Sequence, residues 1–171
     1  MLYPDALRYA VAVALSAVLA WAAVSDIRER RIPNKVVLSV LVLFVPWTLA
    51  GGGVGLTSAL VAGAIAFAAG YGLYAFKAVG AGDAKLFASL ALFAGLAHLP
   101  MFALMTAWTG GLMAVGALLA RPRRALVMLS LRGQGNFGRG IPFGVAIGVG
   151  SAVAIWGYLT GLLPLHGGVP G

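Results

Sequence analysis

Long apolar runs alternate with short polar interruptions along the 171-residue chain. A helix that crosses a bilayer needs roughly 20 mostly apolar residues. Reading at that length gives about six segments: Ala6 to Val24, Val36 to Ala50, Val54 to Phe76, Ala84 to Leu99, Met101 to Ala120 and Ile141 to Leu163. The second and fourth are short for a span. The connections at Gly51-Gly52-Gly53 and around His98-Leu99-Pro100 are minimal, whereas Arg121 to Gly140 forms a longer polar stretch. Within it, Arg123 to Leu129 suits a short surface helix and Gly133 to Gly138 a flexible loop. The pattern predicts an all-α polytopic membrane protein in a single domain, residues 1–171.

Composition strengthens that reading. Hydrophobic residues make up 61% of the chain and charged residues 9%, a balance that no soluble domain of this size requires. The first apolar run resembles a signal peptide near Ala22, but Arg28, Arg30 and Arg31 follow almost at once. Such a cluster reads as the inner end of a retained first helix.

The net charge of +8 suggests nucleic acid until the charges are placed on the segments. Arg28, Arg30, Arg31 and Lys35 follow the first, Lys77 and Lys85 flank the turn after the third, and Arg121, Arg123, Arg124, Arg132 and Arg139 follow the fifth. Only Arg8 falls on the other side. This asymmetry predicts that both termini face away from the cytoplasm. The basic face then meets anionic lipid headgroups, and no nucleic-acid partner is expected.

The acids are rarer still. Four exist, and Asp26 and Asp83 each sit where an apolar segment meets a polar turn. The predicted topology puts both at the cytoplasmic edge. Two carboxylates within reach of each other cannot both ionise easily and titrate as one unit. One can then take a proton from water while the other, protonated, polarises a peptide carbonyl. Read singly, Asp83 equally well caps the fourth helix, and Asp26 equally well balances the basic residues around it. Glu29 reads as solvated among arginines, and Asp5 lies on the opposite side.

Other chemistries lack their parts. With no cysteine there is no thiolate nucleophile or thiolate zinc site. His98 and His166 have no acidic neighbours, no His-Glu-x-x-His element is present, and Ser25 has no evident base. No metal and no cofactor are expected. Gly80 and Gly82 beside Asp83 read as glycines that permit unusual backbone conformations and the close approach of a substrate strand. Gly140, Gly144 and Gly148 recur every fourth residue, as does the pair Gly157 and Gly161, a spacing that suits close helix packing in lipid. Lys85 serves either as a topology anchor or as a partner for an acidic substrate group.

Three elements together resemble type IV prepilin peptidases. Ser25-Asp26-Ile27-Arg28-Glu29-Arg30-Arg31-Ile32-Pro33-Asn34 resembles the family's first signature, and Gly80-Ala81-Gly82-Asp83-Ala84-Lys85-Leu86 resembles its GxGD-x-K element. Ile141-Pro142-Phe143-Gly144 resembles the Pro-Phe/Tyr-Gly element. The resemblance implies an aspartyl endopeptidase of the bacterial inner membrane that removes short leaders from prepilin or pseudopilin precursors. Asp26 and Asp83 match the catalytic aspartates, with Gly80, Gly82, Lys85, Pro142, Phe143 and Gly144 in support. The compact form, without a cysteine tetrad, looks like the enzymes of tight-adherence (Flp-type) pili. It implies no separate methyltransferase domain. Two alternatives are a presenilin-like or signal-peptide-peptidase-like GxGD enzyme, which typically has Tyr where Ser25 stands, and a proton-coupled transport subunit.

Overall fold

The computed structural model describes residues 3–29, 31–52, 54–120 and 143–160. They form five helices: α1 (Tyr3–Glu29), α2 (Asn34–Leu49), α3 (Leu56–Ala75), α4 (Ala81–Ala120) and α5 (Phe143–Leu159). The described residues are all helix and connecting turn. Three stretches are long and apolar enough to cross a membrane, Asp5–Glu29, Leu56–Ala75 and Ala81–Met113, and α2 and α5 are shorter apolar helices. The stretch Arg121 to Gly140, with the surface helix and loop expected there, lies outside the described residues, as do Gly161 and His166.

The expected fourth and fifth segments are the two arms of α4, and the break between them differs from expectation. Helix continues through His98, Leu99 and Pro100, and the non-helical residue is Gly95, at φ 65° and ψ 176°. Glycine takes this positive φ without the steric cost that other residues meet. A Cβ there would also come within 2.3 Å of Val54 Cγ1. The chain reverses at this point. Phe87 stacks on Phe102 with ring centroids 5.0 Å apart, whereas a straight helix rising 1.5 Å per residue would hold them roughly 20 Å apart. The new arm starts with an orphan amide, as every helix does. A neighbouring helix supplies its acceptor: the Leu96 N–H donates to Ser58 Oγ at 3.0 Å.

Three packed pairs of segments run antiparallel. Along α3 and the first arm of α4, Ser58 meets Leu96, Gly63 faces Leu92 and Gly70 faces Ala84. The second arm runs back beside α5, where Thr109 donates to the Ala146 carbonyl and Gly150 lies on Thr106. In turn α5 lies along α1, with Trp156 Nε1 donating to Ser16 Oγ at one end and Gly144 meeting Asp26 at the other. The starts of α4 and α5 and the end of α1 therefore share one end of the bundle. At the opposite end, Arg8 donates to the carbonyls of Ala50 and Gly51, tying the start of α1 to the end of α2.

Packing against α4 explains the composition of α3. Its buried residues are Ala59, Ala62, Gly63, Ala66 and Gly70, all small. Such a face lets two helices approach closely where lipid gives no hydrophobic advantage to bulk. Its large residues, including Leu60, Ile65, Phe67 and Tyr71, are exposed, as suits a lipid-facing surface. The inner core is formed by Leu15, Leu19, Val36, Val40, Leu86 and Leu90 from the other elements.

The break at Gly95 yields a stability test. A Gly95→Ala variant combines a disfavoured φ with overlap onto Val54, costs of about 1–3 kcal/mol each. Its melting midpoint in detergent is expected to fall clearly, whereas Gly111→Ala, with open space around it, is expected to match wild type. Equal midpoints for the two variants would contradict the packing described for Gly95.

Candidate active site

Asp26 lies three residues before the end of α1, where the helix dipole is unfavourable to a carboxylate. Tertiary structure supplies compensation. Asp26 is buried, with 7% of its surface exposed, and its Oδ2 accepts the Gly144 N–H at 2.8 Å. That amide belongs to the first turn of α5, one of the donors that a helix start leaves unused and that favour an anion. The contact joins residues 118 positions apart.

Asp83 occupies the first turn of α4. It is not the residue preceding the helix but the third helical one. The Gly80 N–H donates to its carboxylate, and the Ala84 N–H donates to the Gly80 carbonyl at 3.1 Å. This is half of a capping box, in which an acid in the first turn reaches back to the amide at the helix entrance. The helix-capping role considered for Asp83 is thus real in a modified form. It does not isolate the residue, because Asp26 and Asp83 are near enough for the charge of one to act on the other.

The loop between α1 and α2 completes this end of the bundle. Ser25 is buried, and its hydroxyl donates to the Arg31 carbonyl at 3.0 Å. The serine next to Asp26 is therefore a loop clasp. Beyond the clasp, Ile32 lies against two glycines. A Cβ on Gly82 would stand 3.1 Å from Ile32 Cβ, and one on Gly144 would stand 3.0 Å from Ile32 Cδ1 and 2.9 Å from Asp26 Oδ2. Pro33 then opens α2, accepting the Val36 N–H at 3.0 Å.

Of the supporting residues, Gly144 is brought directly onto Asp26, and Gly80 onto Asp83. The conformational reason expected for Gly80 and Gly82 does not hold. Among the described residues the glycines at positive φ are Gly51 and Gly95. Gly82 is instead crowded by Ile32, and a Cβ on Gly80 would come within 3.0 Å of Asp83 Oδ2. Phe143 opens α5, and Pro142 lies outside the described residues. Lys85 is exposed and forms no ion pair among the described residues, where the salt bridge is Arg8 to Asp5.

Sequence reasoning missed Ile32 as a contributor. Its one visible signal is an apolar side chain directly after Arg28-Glu29-Arg30-Arg31. His98 borders an apolar cavity of about 290 Å³ with Trp47, Phe93 and Phe102. This cavity lies in the half of the bundle away from the aspartates and takes no part in their geometry.

Residues 13–115 match the model of the type IV leader peptidase family. The matched range covers more than half of the chain, includes both Asp26 and Asp83, and stops short of Gly144. No curated protein and no solved structure matches the chain. With its apolar helices and a match of this extent, the chain belongs to the type IV leader peptidase family.

Proposed function

We propose that this membrane peptidase is an aspartyl endopeptidase in which Asp26 and Asp83 share the work on one water molecule. The carrying observation is that two acids from distant parts of a nearly acid-free chain lie within electrostatic reach of each other. Two such carboxylates hold one proton between them more readily than none or two. In the reaction, the ionised member draws a proton from water as it attacks the scissile carbonyl. The protonated member donates to the carbonyl oxygen, and a proton returns to the departing amine as the C–N bond breaks. The Gly144 amide holds Asp26 in one orientation throughout.

The proposed substrate is a prepilin or pseudopilin precursor. Its hydrophilic leader precedes an apolar helix, so the scissile bond lies near the membrane edge, at the level of a site built from helix ends. Counting the arms of α4 separately, the proposed topology has six crossings, with the aspartates at the cytoplasmic face and both termini on the other side. The basic residues supporting this orientation include Arg28, Arg31, Lys35, Lys77 and Lys85. The setting proposed is a bacterial inner membrane, with Flp-type pilins as the proposed substrates. Family membership favours this reading over a proton-coupled transport subunit. A substrate panel separates it from a presenilin-like enzyme, which cleaves within transmembrane helices.

Co-expression with a Flp-type precursor tests the dyad. Wild type is expected to reduce the precursor by the mass of its leader. Asp26→Asn and Asp83→Asn are expected to lose roughly 10²–10⁴-fold in rate while remaining in the membrane at normal levels. Full processing by either variant would remove its aspartate from the mechanism.

Lys85 is proposed to meet an acidic residue of the mature pilin, since it is exposed and two positions past Asp83. An exposed pair contributes about 0.2–1 kcal/mol, so Lys85→Ala is expected to raise KM up to about fivefold and leave kcat in place. An unchanged KM would assign the lysine to topology alone.

We propose cleavage without N-methylation of the new amino terminus. Purified protein given cleaved pilin and a methyl donor is expected to leave the pilin mass unchanged, and a gain of one methyl group would refute this.

A further inference from the structure

We propose that Ile32 is a positioning residue, a wedge between the first turns of α4 and α5 that sets how closely Asp83 approaches Asp26. The inference rests on the peptidase reading only for its activity measurement.

Four observations carry it. Ile32 meets both glycines of the site with different parts of itself: its Cβ and backbone face Gly82, and its Cδ1 faces Gly144. Gly82 immediately precedes Asp83, and Gly144 donates to Asp26. A shift of Ile32 is therefore passed to one carboxylate through α4 and to the other through α5. Third, the wedge is held from both sides. The Ser25 hydroxyl on the Arg31 carbonyl links the residue before Asp26 to the residue before Ile32. On the other side, Pro33 is extended at φ −64° and ψ 142° and starts α2. Fourth, Ile32 is partly buried and packs against the main apolar core.

Close packing makes this arrangement stiff. A Cβ at 3.0–3.1 Å is tighter than ordinary contact, so neither glycine accepts a methyl group without displacement of Ile32 or Asp26. The absence of side chains at Gly82 and Gly144 is then explained inside the protein, by the wedge, and not only by room for a substrate. Ile32 reaches no reacting atom in this account and acts through the two helices it separates.

The test combines a distance with a rate. The chain has no cysteine, so Arg28→Cys and Lys85→Cys, both at exposed positions, allow one spin label at the end of α1 and one at the start of α4. With Ile32 intact the distance distribution is expected to be narrow. Ile32→Ala is expected to shift or broaden it. In the full chain without labels, the same substitution is expected to lower kcat about ten- to a hundredfold, as misplacement of catalytic groups by an ångström does, with KM within about twofold. A purely structural role predicts instead that activity per folded molecule is unchanged. An unshifted distribution, or wild-type kcat per folded molecule, overturns the proposal. Ile32→Val removes only the Cδ1 that faces Gly144 and keeps the test open where the alanine variant does not fold. Unaltered distance and kcat in that variant would likewise overturn it. If wild type cleaves no leader at all, the peptidase reading fails, while the spin-label comparison still decides whether Ile32 sets the spacing.

Discussion

The hydrogen bond from the Gly144 amide to the buried Asp26 carboxylate joins the start of the last described helix to the end of the first. Neither partner is well placed without the other. A buried acid at a helix C-terminus is opposed by the dipole and by its own desolvation. An amide in the first turn of α5 would otherwise be among the donors that its helix leaves unused. Pairing them settles both needs, and it requires α5 to lie antiparallel to α1 with its start at this end of the bundle. The Trp156 to Ser16 hydrogen bond at the far end keeps the same alignment.

Close approach depends on small or missing side chains wherever functional elements meet. The face of α3 that packs on α4 is alanine and glycine, and the starts of α4 and α5 press glycines against Ile32. In lipid, where apolar bulk is matched by the solvent, contact quality and hydrogen bonds decide which helices associate. The reversal at Gly95 belongs to the same economy. A single residue at positive φ, lying on Val54 and followed by an amide bonded to Ser58, turns one long helix into two neighbouring arms. That reversal returns the second arm to the side of α5, where Thr109 donates to the Ala146 carbonyl near the aspartates.

Much of this was legible from residue patterns. The apolar runs located all five helices, and the scarcity of acids singled out Asp26 and Asp83 before any contact was known. Local signals mislead where they compete with tertiary packing. A minimal connection is expected around His98-Leu99-Pro100, yet that stretch is helical and Gly95 makes the break, at positive φ and pressed against Val54. The glycines around Asp83 suggested unusual backbone angles, but their φ values are ordinary and crowding by Ile32 explains Gly82. Ser25 gave no hint that its hydroxyl reaches Arg31, since nothing in the spacing distinguishes a loop clasp from a solvated serine.

Hydropathy and charge, properties of each residue against water and lipid, were enough to determine that the chain is an all-α membrane protein and to single out Asp26 and Asp83 among its four acids. Family membership follows from the match of residues 13–115 to the family model. Tertiary structure alone decided that Gly144 holds Asp26, that Asp83 feels the charge of Asp26, and that Ile32 stands between the first turns of α4 and α5. These are contacts between residues far apart in sequence, and their distances depend on how whole helices pack. No local pattern encodes a separation that three helix ends and one side chain set together.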